Sequence, residues 1–140
     1  MASVIYLSCI DDSAKGNLDF DTNTFRVLLV SSGYTPDKLT HTKRSDITNE
    51  VSGAGYTAGG ITCTCTVTKS TANNEVTLTF SAVNWPTASF TARGAVYYRA
   101  RGGASSADEL VGYDDFGANV TSSGATFFLD ASVLTLRNLT

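Results

Sequence analysis

Charge is what this sequence has least of. Only 16% of its 140 residues are charged, against about 25% in an ordinary globular chain. Threonine, serine, asparagine and glycine must therefore cover much of the surface, a composition that suits β-structure and flat, low-charge contacts. The net charge is -3, and the basic residues are scattered, with Lys43-Arg44 the one adjacent pair. That excludes a nucleic-acid groove, which needs a basic patch to displace counterions. No apolar run approaches the ~20 residues that span a bilayer, so no membrane partner is expected. The stretch Met1–Ile10 is apolar but has no basic residues ahead of it, and Asp11-Asp12 interrupts it, so it does not read as a signal peptide. Three cysteines make no disulfide framework, and synthesis in a reducing cytosol is the expectation.

Reactive constellations are equally scarce. His41 is the single histidine, set between two threonines in a polar stretch, and no Gly-x-Ser-x-Gly elbow accompanies it. A solvated loop histidine is the expected role. Asp11-Asp12 and Asp114-Asp115 are adjacent pairs, and neighbours on an extended chain point opposite ways, so neither converges on a substrate. The glycine run Gly53-Ala54-Gly55-Tyr56-Thr57-Ala58-Gly59-Gly60 lacks the lysine and hydroxyl ending of a phosphate loop and precedes a strand. Its glycines are expected to supply positive φ at a sheet corner. Cys63 and Cys65 would place two thiols on one strand face, near which Cys9 and His41 are conceivable zinc ligands. Structural zinc sites use turns with a two-residue gap, so these read as free thiols packing as small hydrophobes. Asn119-Val120-Thr121 and Asn138-Leu139-Thr140 fit the glycosylation pattern by chance. No catalytic, metal or cofactor-binding residues are assigned.

What the chain does have is alternation. In Ile61–Thr68, within the segment Ile61–Lys69, apolar residues and threonines swap at every step, and Glu75–Ser81 repeats the pattern, with Val76, Leu78 and Phe80 on one face. Ser70–Asn74 joins them as a hairpin link. Thr24–Val30 is dense enough in apolar and β-branched residues for a central strand covered on both faces. Ser3–Leu7 reads as a first strand, and Asp11–Lys15 as about one helical turn stopped by Gly16-Asn17. Lys38–Asn49 is polar and reads as an exposed contact arm, with one turn capped by Ser45-Asp46 that sets Ile47 and Val51 on one face. Pro86 is expected to end a strand. Ala92–Arg101, Glu109–Tyr113, Ala125–Leu129 and Val133–Leu136 complete about eight strands, with Asp114–Gly117 bending away after the second of these. The expectation is a single domain over 1–140, all-β, a two-sheet antiparallel sandwich with a jelly roll leading.

Trp85 and Phe90 read as core. One of Tyr97 and Tyr98 must face away from the inner side of its sheet. Tyr97, Tyr98, Arg99 and Arg101 are therefore the expected subunit contacts, since aromatic and arginine residues dominate interface cores.

Five blocks carry a resemblance: Thr24–Val27, Asn49–Gly60, Val83-Asn84-Trp85, Phe90–Tyr98 and Ser123–Phe127. At these the chain resembles a family of tailed-bacteriophage structural proteins, and within it is most similar to the capsid cement (decoration) proteins of short-tailed phages. The resemblance implies a jelly roll that binds the major capsid protein on the outer surface of the head, commonly as a homodimer, and it supplies no catalytic residues. The expected location is the virion, after synthesis in the host cytoplasm. A tail or neck protein and a carbohydrate-binding adsorption module are the alternatives.

Overall fold

The computed structural model describes residues 2–138. The Asn138-Leu139-Thr140 triplet runs past the described residues. Eight strands and one helix follow in order: β1 (Ala2–Ile5), α1 (Leu7–Ala14), β2 (Phe25–Val30), β3 (Ile61–Cys63), β4 (Cys65–Ser70), β5 (Glu75–Phe80), β6 (Val83–Arg99), β7 (Leu110–Leu129) and β8 (Ser132–Arg137). They form the expected all-β, two-sheet antiparallel sandwich. One sheet has the order β1-β7-β6-β2-β3 and the other β4-β5-β8, and every pairing is antiparallel.

β2 is the central strand its composition implies, paired to β6 on one side and β3 on the other. Its alternate side chains feed two cores. Phe25, Val27 and Leu29 join Phe80, Trp85, Phe90 and Tyr97 between the sheets, while Leu28 and Val30 join Tyr6, Tyr34, Val96 and Tyr98 on the opposite side. The polar stretch after β2 stays exposed along much of its length, as read, but it is not a free arm: it lies over this outer core as a third layer. It is pinned at several points: Lys38 O accepts from Leu7 N–H at 2.8 Å, and Arg44 N–H donates to Asp108 O at 2.9 Å. The turn expected at Ser45-Asp46 is a 3₁₀ turn, Arg44–Asp46. Ile47 packs with the outer core and Val51 with the inner one, so they do not share a face.

β4 and β5 form the expected hairpin, with Ser70 opposite Glu75, Lys69 opposite Val76 and Cys65 opposite Phe80. The strand before it is not continuous. Thr64 separates β3 from β4, and the two belong to different sheets, so Cys63 and Cys65 do not share a strand face. At the entry to β3, Gly60 passes against the Val27 carbonyl at φ 76°, an approach that leaves no room for a Cβ.

The helix starts earlier than the acidic residues suggest, at Leu7, and has no acidic side chain in its first turn. Its stop is where the sequence puts it. Gly16 at φ 79° donates to Ser13 O and Asn17 to Asp12 O, the paired bonds of a Schellman cap.

β6 and β7 run as one long hairpin, which two sequence signals concealed. Pro86 does not end its strand: it sits with Thr87 (φ 52°) in a bulge between the Trp85–Phe127 and Ala88–Ala125 pairs, where no ladder donor is needed. Asp114–Gly117 does not end β7 either. Phe116–Asn119 bulge out between the pairs Gly94–Asp115 and Ala92–Val120, with Gly117 at φ 79°, and the strand resumes.

Candidate functional site

The outer face of the β4-β5-β8 sheet is built by cross-strand register. Its rows are Thr66–Thr79–Val133, Thr68–Thr77–Thr135 and Ser70–Glu75–Arg137. The inward rows carry Phe80, Leu78 and Leu134, all buried, so alternation forces the threonines out. The result is a field of hydroxyls and methyls spaced by strand geometry. Its one ion pair, Arg137 Nε to Glu75 Oε2 at 3.0 Å, lies at the end.

The second feature is the outer half of the β6–β7 hairpin. Beyond the bulge, β6 is flanked by the glycine-rich segment, where Ser89 N–H donates to Ala54 O at 2.9 Å. Glu50 fixes that segment by accepting from Tyr56 OH at 2.8 Å and Gly59 N–H at 2.6 Å. β7 on its other side has no strand partner past Asp115 among the described residues. Phe128 stands 73% exposed there. A groove of about 190 Å³ runs beside it, lined by Phe116, Val120, Phe127, Phe128, Leu129 and Asp130.

The third is a cleft of about 550 Å³ between α1 and the third layer, lined by Leu7, Ile10, Ala14 and Leu39. Three of these, Leu7, Ile10 and Leu39, are exposed.

None of the reactive candidates assembles a catalytic set. His41 is half-buried rather than solvated. Its Nδ1 accepts from Asp37 N–H at 3.2 Å and lies 2.9 Å from Tyr34 OH, which in turn contacts Tyr6 OH at 2.8 Å. A backbone N–H can only donate, so Nδ1 is the acceptor and the ring proton is on Nε2. The Asp114-Asp115 pair diverges as expected. Asp114 is buried and accepts from Ser3 Oγ and Ser132 Oγ at 2.5 Å each, tying the two sheets together. Asp115 bonds Arg93 Nε at 2.8 Å, and that contact holds its carboxyl below the usual range. Asp11 pairs with Lys15 and Asp12 with Asn17. Cys9, Cys63 and Cys65 are free thiols, pushed up to about 11, 12 and 11 by burial. No group of three or more His, Cys, Asp or Glu side chains converges among the described residues.

The four expected contact residues do not form one patch. Tyr97 and Tyr98 face opposite ways as alternation requires, but both are buried, at 2% and 1%, because the third layer covers the side that Tyr98 faces. Neither tyrosine presents a surface to a partner. Arg99 donates to Asn17 O at 2.5 Å. Arg101 clasps the buried Glu109 at 2.6 and 3.1 Å, with Lys43 Nζ at 3.7 Å. Burial pushes the Glu109 carboxyl up, but the Arg101 bond and the two cations outweigh it and hold it below its ordinary value. Trp85 and Phe90 are core, as read.

The threonine face was visible in the alternation of Thr66, Thr68, Thr77 and Thr79, although nothing in the pattern marks it as a site. The free half of the hairpin was missed. Its signal was the absence of any charged residue or proline from Phe116 to Leu129.

No family model matches the chain, and no curated protein or solved structure matches it significantly. No helix among the described residues is long and apolar enough to cross a membrane.

Proposed function

We propose that this chain is a non-enzymatic virion protein, a cement that binds the outer surface of a phage head and stabilises contacts between major capsid subunits. The observation that carries the reading is the threonine face of β4-β5-β8, a surface with one ion pair at its end, on a two-sheet scaffold. The resemblance at Asn49–Gly60 and Phe90–Tyr98 supplies the partner. The physical mechanism is mass action, since a protein that binds only the assembled shell stabilises that shell. Contacts that are individually weak add through the repetition of sites on the capsid.

The test is co-sedimentation of the purified chain with heads that lack it, beside the variant Thr68→Lys/Thr77→Lys. Those two positions are opposite each other in the middle row. The wild-type chain should bind in numbers that scale with the coat protein and raise the temperature at which heads release DNA, and the variant should do neither. Binding only to isolated tails, in a few copies, overturns the cement reading. Full binding by a folded variant overturns the assignment to this face.

A further inference from the structure

The geometry points to a second copy of this chain as the partner of the free β7 edge, paired antiparallel about a two-fold axis between Gly124 and Ala125. This inference does not rest on the capsid reading above.

The edge itself comes first. From Val120 to Leu129, β7 is bonded to β6 on one side and to no strand on the other among the described residues, which leaves about 30 Å of backbone donors and acceptors. Sheet edges are ordinarily blunted by shortness, charge or proline. The other edges of this molecule follow that rule: β1 has four residues and β3 three, β4 carries Lys69, and β8 carries Arg137. The free edge of β7 has no charge and no proline, and it displays Phe128 and Val120.

The bulge identifies the occupant. β6 pairs Ser89 with Ser123 and Ala88 with Ala125, so Gly124, at φ 69°, has no residue opposite it in the ladder, donates its N–H to Ser89 Oγ at 2.9 Å, and divides the edge into two runs. A regular strand laid along this edge loses register at Gly124. The same edge, turned about an axis at that point, sets bulge beside bulge and each run against the other. Face parity fixes the axis further. Val120 and Ser122 pair with buried Ala92 and Phe90, and Phe127 with buried Trp85, so these lie on the core side, as does Leu129. Thr121 and Phe128 pair with exposed Thr91 and Asn84 and lie on the other. An axis between residues 124 and 125 places Val120 opposite Leu129, Ser122 opposite Phe127 and Thr121 opposite Phe128, like face with like. A shift by one residue would set Val120 against Phe128 from opposite faces. An isologous contact also brings a segment against itself, where any charge would meet its twin, and this segment has none. The apolar groove beside Phe116 is closed by the same contact.

The experiment is sedimentation equilibrium on the isolated chain, with amide exchange read residue by residue. The wild-type chain should be a dimer at micromolar concentration, with exchange at Val120–Leu129 slowing as concentration rises. Ser123→Lys/Thr126→Lys, which gathers four lysines at the axis, should weaken the dimer at least about tenfold, and Thr66→Lys on the β4 edge should leave it intact. If the double variant does not fold, Phe128→Lys, at a largely exposed side chain, serves in its place with the same expectation. A monomer at every concentration, a dimer that survives the lysines, or a dimer without protection at Val120–Leu129 overturns the inference. A wild-type dimer of this kind that fails to bind heads removes the capsid reading and leaves this one standing.

Discussion

The β6–β7 hairpin has two unlike halves. From Gly94 to Arg99 and from Leu110 to Asp115 it is the middle of a five-stranded sheet, with β2 on one flank and β1 on the other. Apart from Arg99 and Asp115 at the two ends, its side chains are buried on both faces, and the loop that joins its strands is anchored by Asp108 to Arg44 and by Glu109 to Lys43, with Arg101 of the same loop closing on Glu109. Beyond the Phe116–Asn119 bulge the same two strands become a ribbon with one flank bare and no charge on β7 up to Leu129. The inner half holds the molecule together and the outer half offers backbone. A bulge of a few residues separates the two roles, because it interrupts the ladder without ending the strand.

The comparison breaks most visibly in the inner half. Tyr98 is buried, donates to Gly59 O at 2.5 Å and lies under the Arg44 guanidinium at 5.2 Å. Tyr98→Ala should cost about 3–5 kcal/mol, the usual range for an aromatic removed from a core, measured by urea unfolding. A loss below about 1 kcal/mol would mean that the third layer collapses onto the hole. Glu109→Gln comes next, at about 1–3 kcal/mol for hydrogen bonds to charged groups. The sign of its pH dependence is fixed. The folded carboxyl is held below its ordinary value, so its contribution is present above the unfolded value of about 4.3 and is lost as pH falls through the lower folded one. The melting temperature of the wild-type chain should therefore drop below that pH, and in Glu109→Gln this part of the drop should vanish. An unchanged acid slope would place the sensitivity elsewhere. The smallest effect belongs to the outer half. Phe128→Ser should change monomer stability by no more than about 0.5 kcal/mol while reducing self-association in the same samples. A large loss of stability would show that the ribbon's exposed side is part of the fold.

Much of the fold was legible. The threonine alternation fixed the β4–β5 hairpin, the density of Thr24–Val30 marked the central strand, and Gly16-Asn17 stopped the helix. What misled were residues whose local preference was met inside a longer element. Pro86 and the Asp114–Gly117 turn both signal an end, yet Pro86 and the Phe116-Gly117 half of that turn are absorbed in bulges, while Asp114 and Asp115 stay in the ladder. Lys38–Asn49 looked like an arm because it is polar, yet its backbone and Arg44 bond across to Asp108, a partner far away in sequence. Tyr97 and Tyr98 looked like a contact pair because alternation sends one outward, and alternation does not report that another layer lies there.

By itself the sequence determined that the chain builds β-structure, where most strands lie and how side chains alternate between the faces of strands such as β2 and β5, since these follow from period and local backbone preference. Only the tertiary structure decided that Ile61–Cys63 leaves the hairpin for the other sheet, that Tyr98 is covered, and that one edge of β7 remains bare. Those are facts about which distant segment sits beside a strand, and that choice is made by packing and hydrogen bonding across the whole chain.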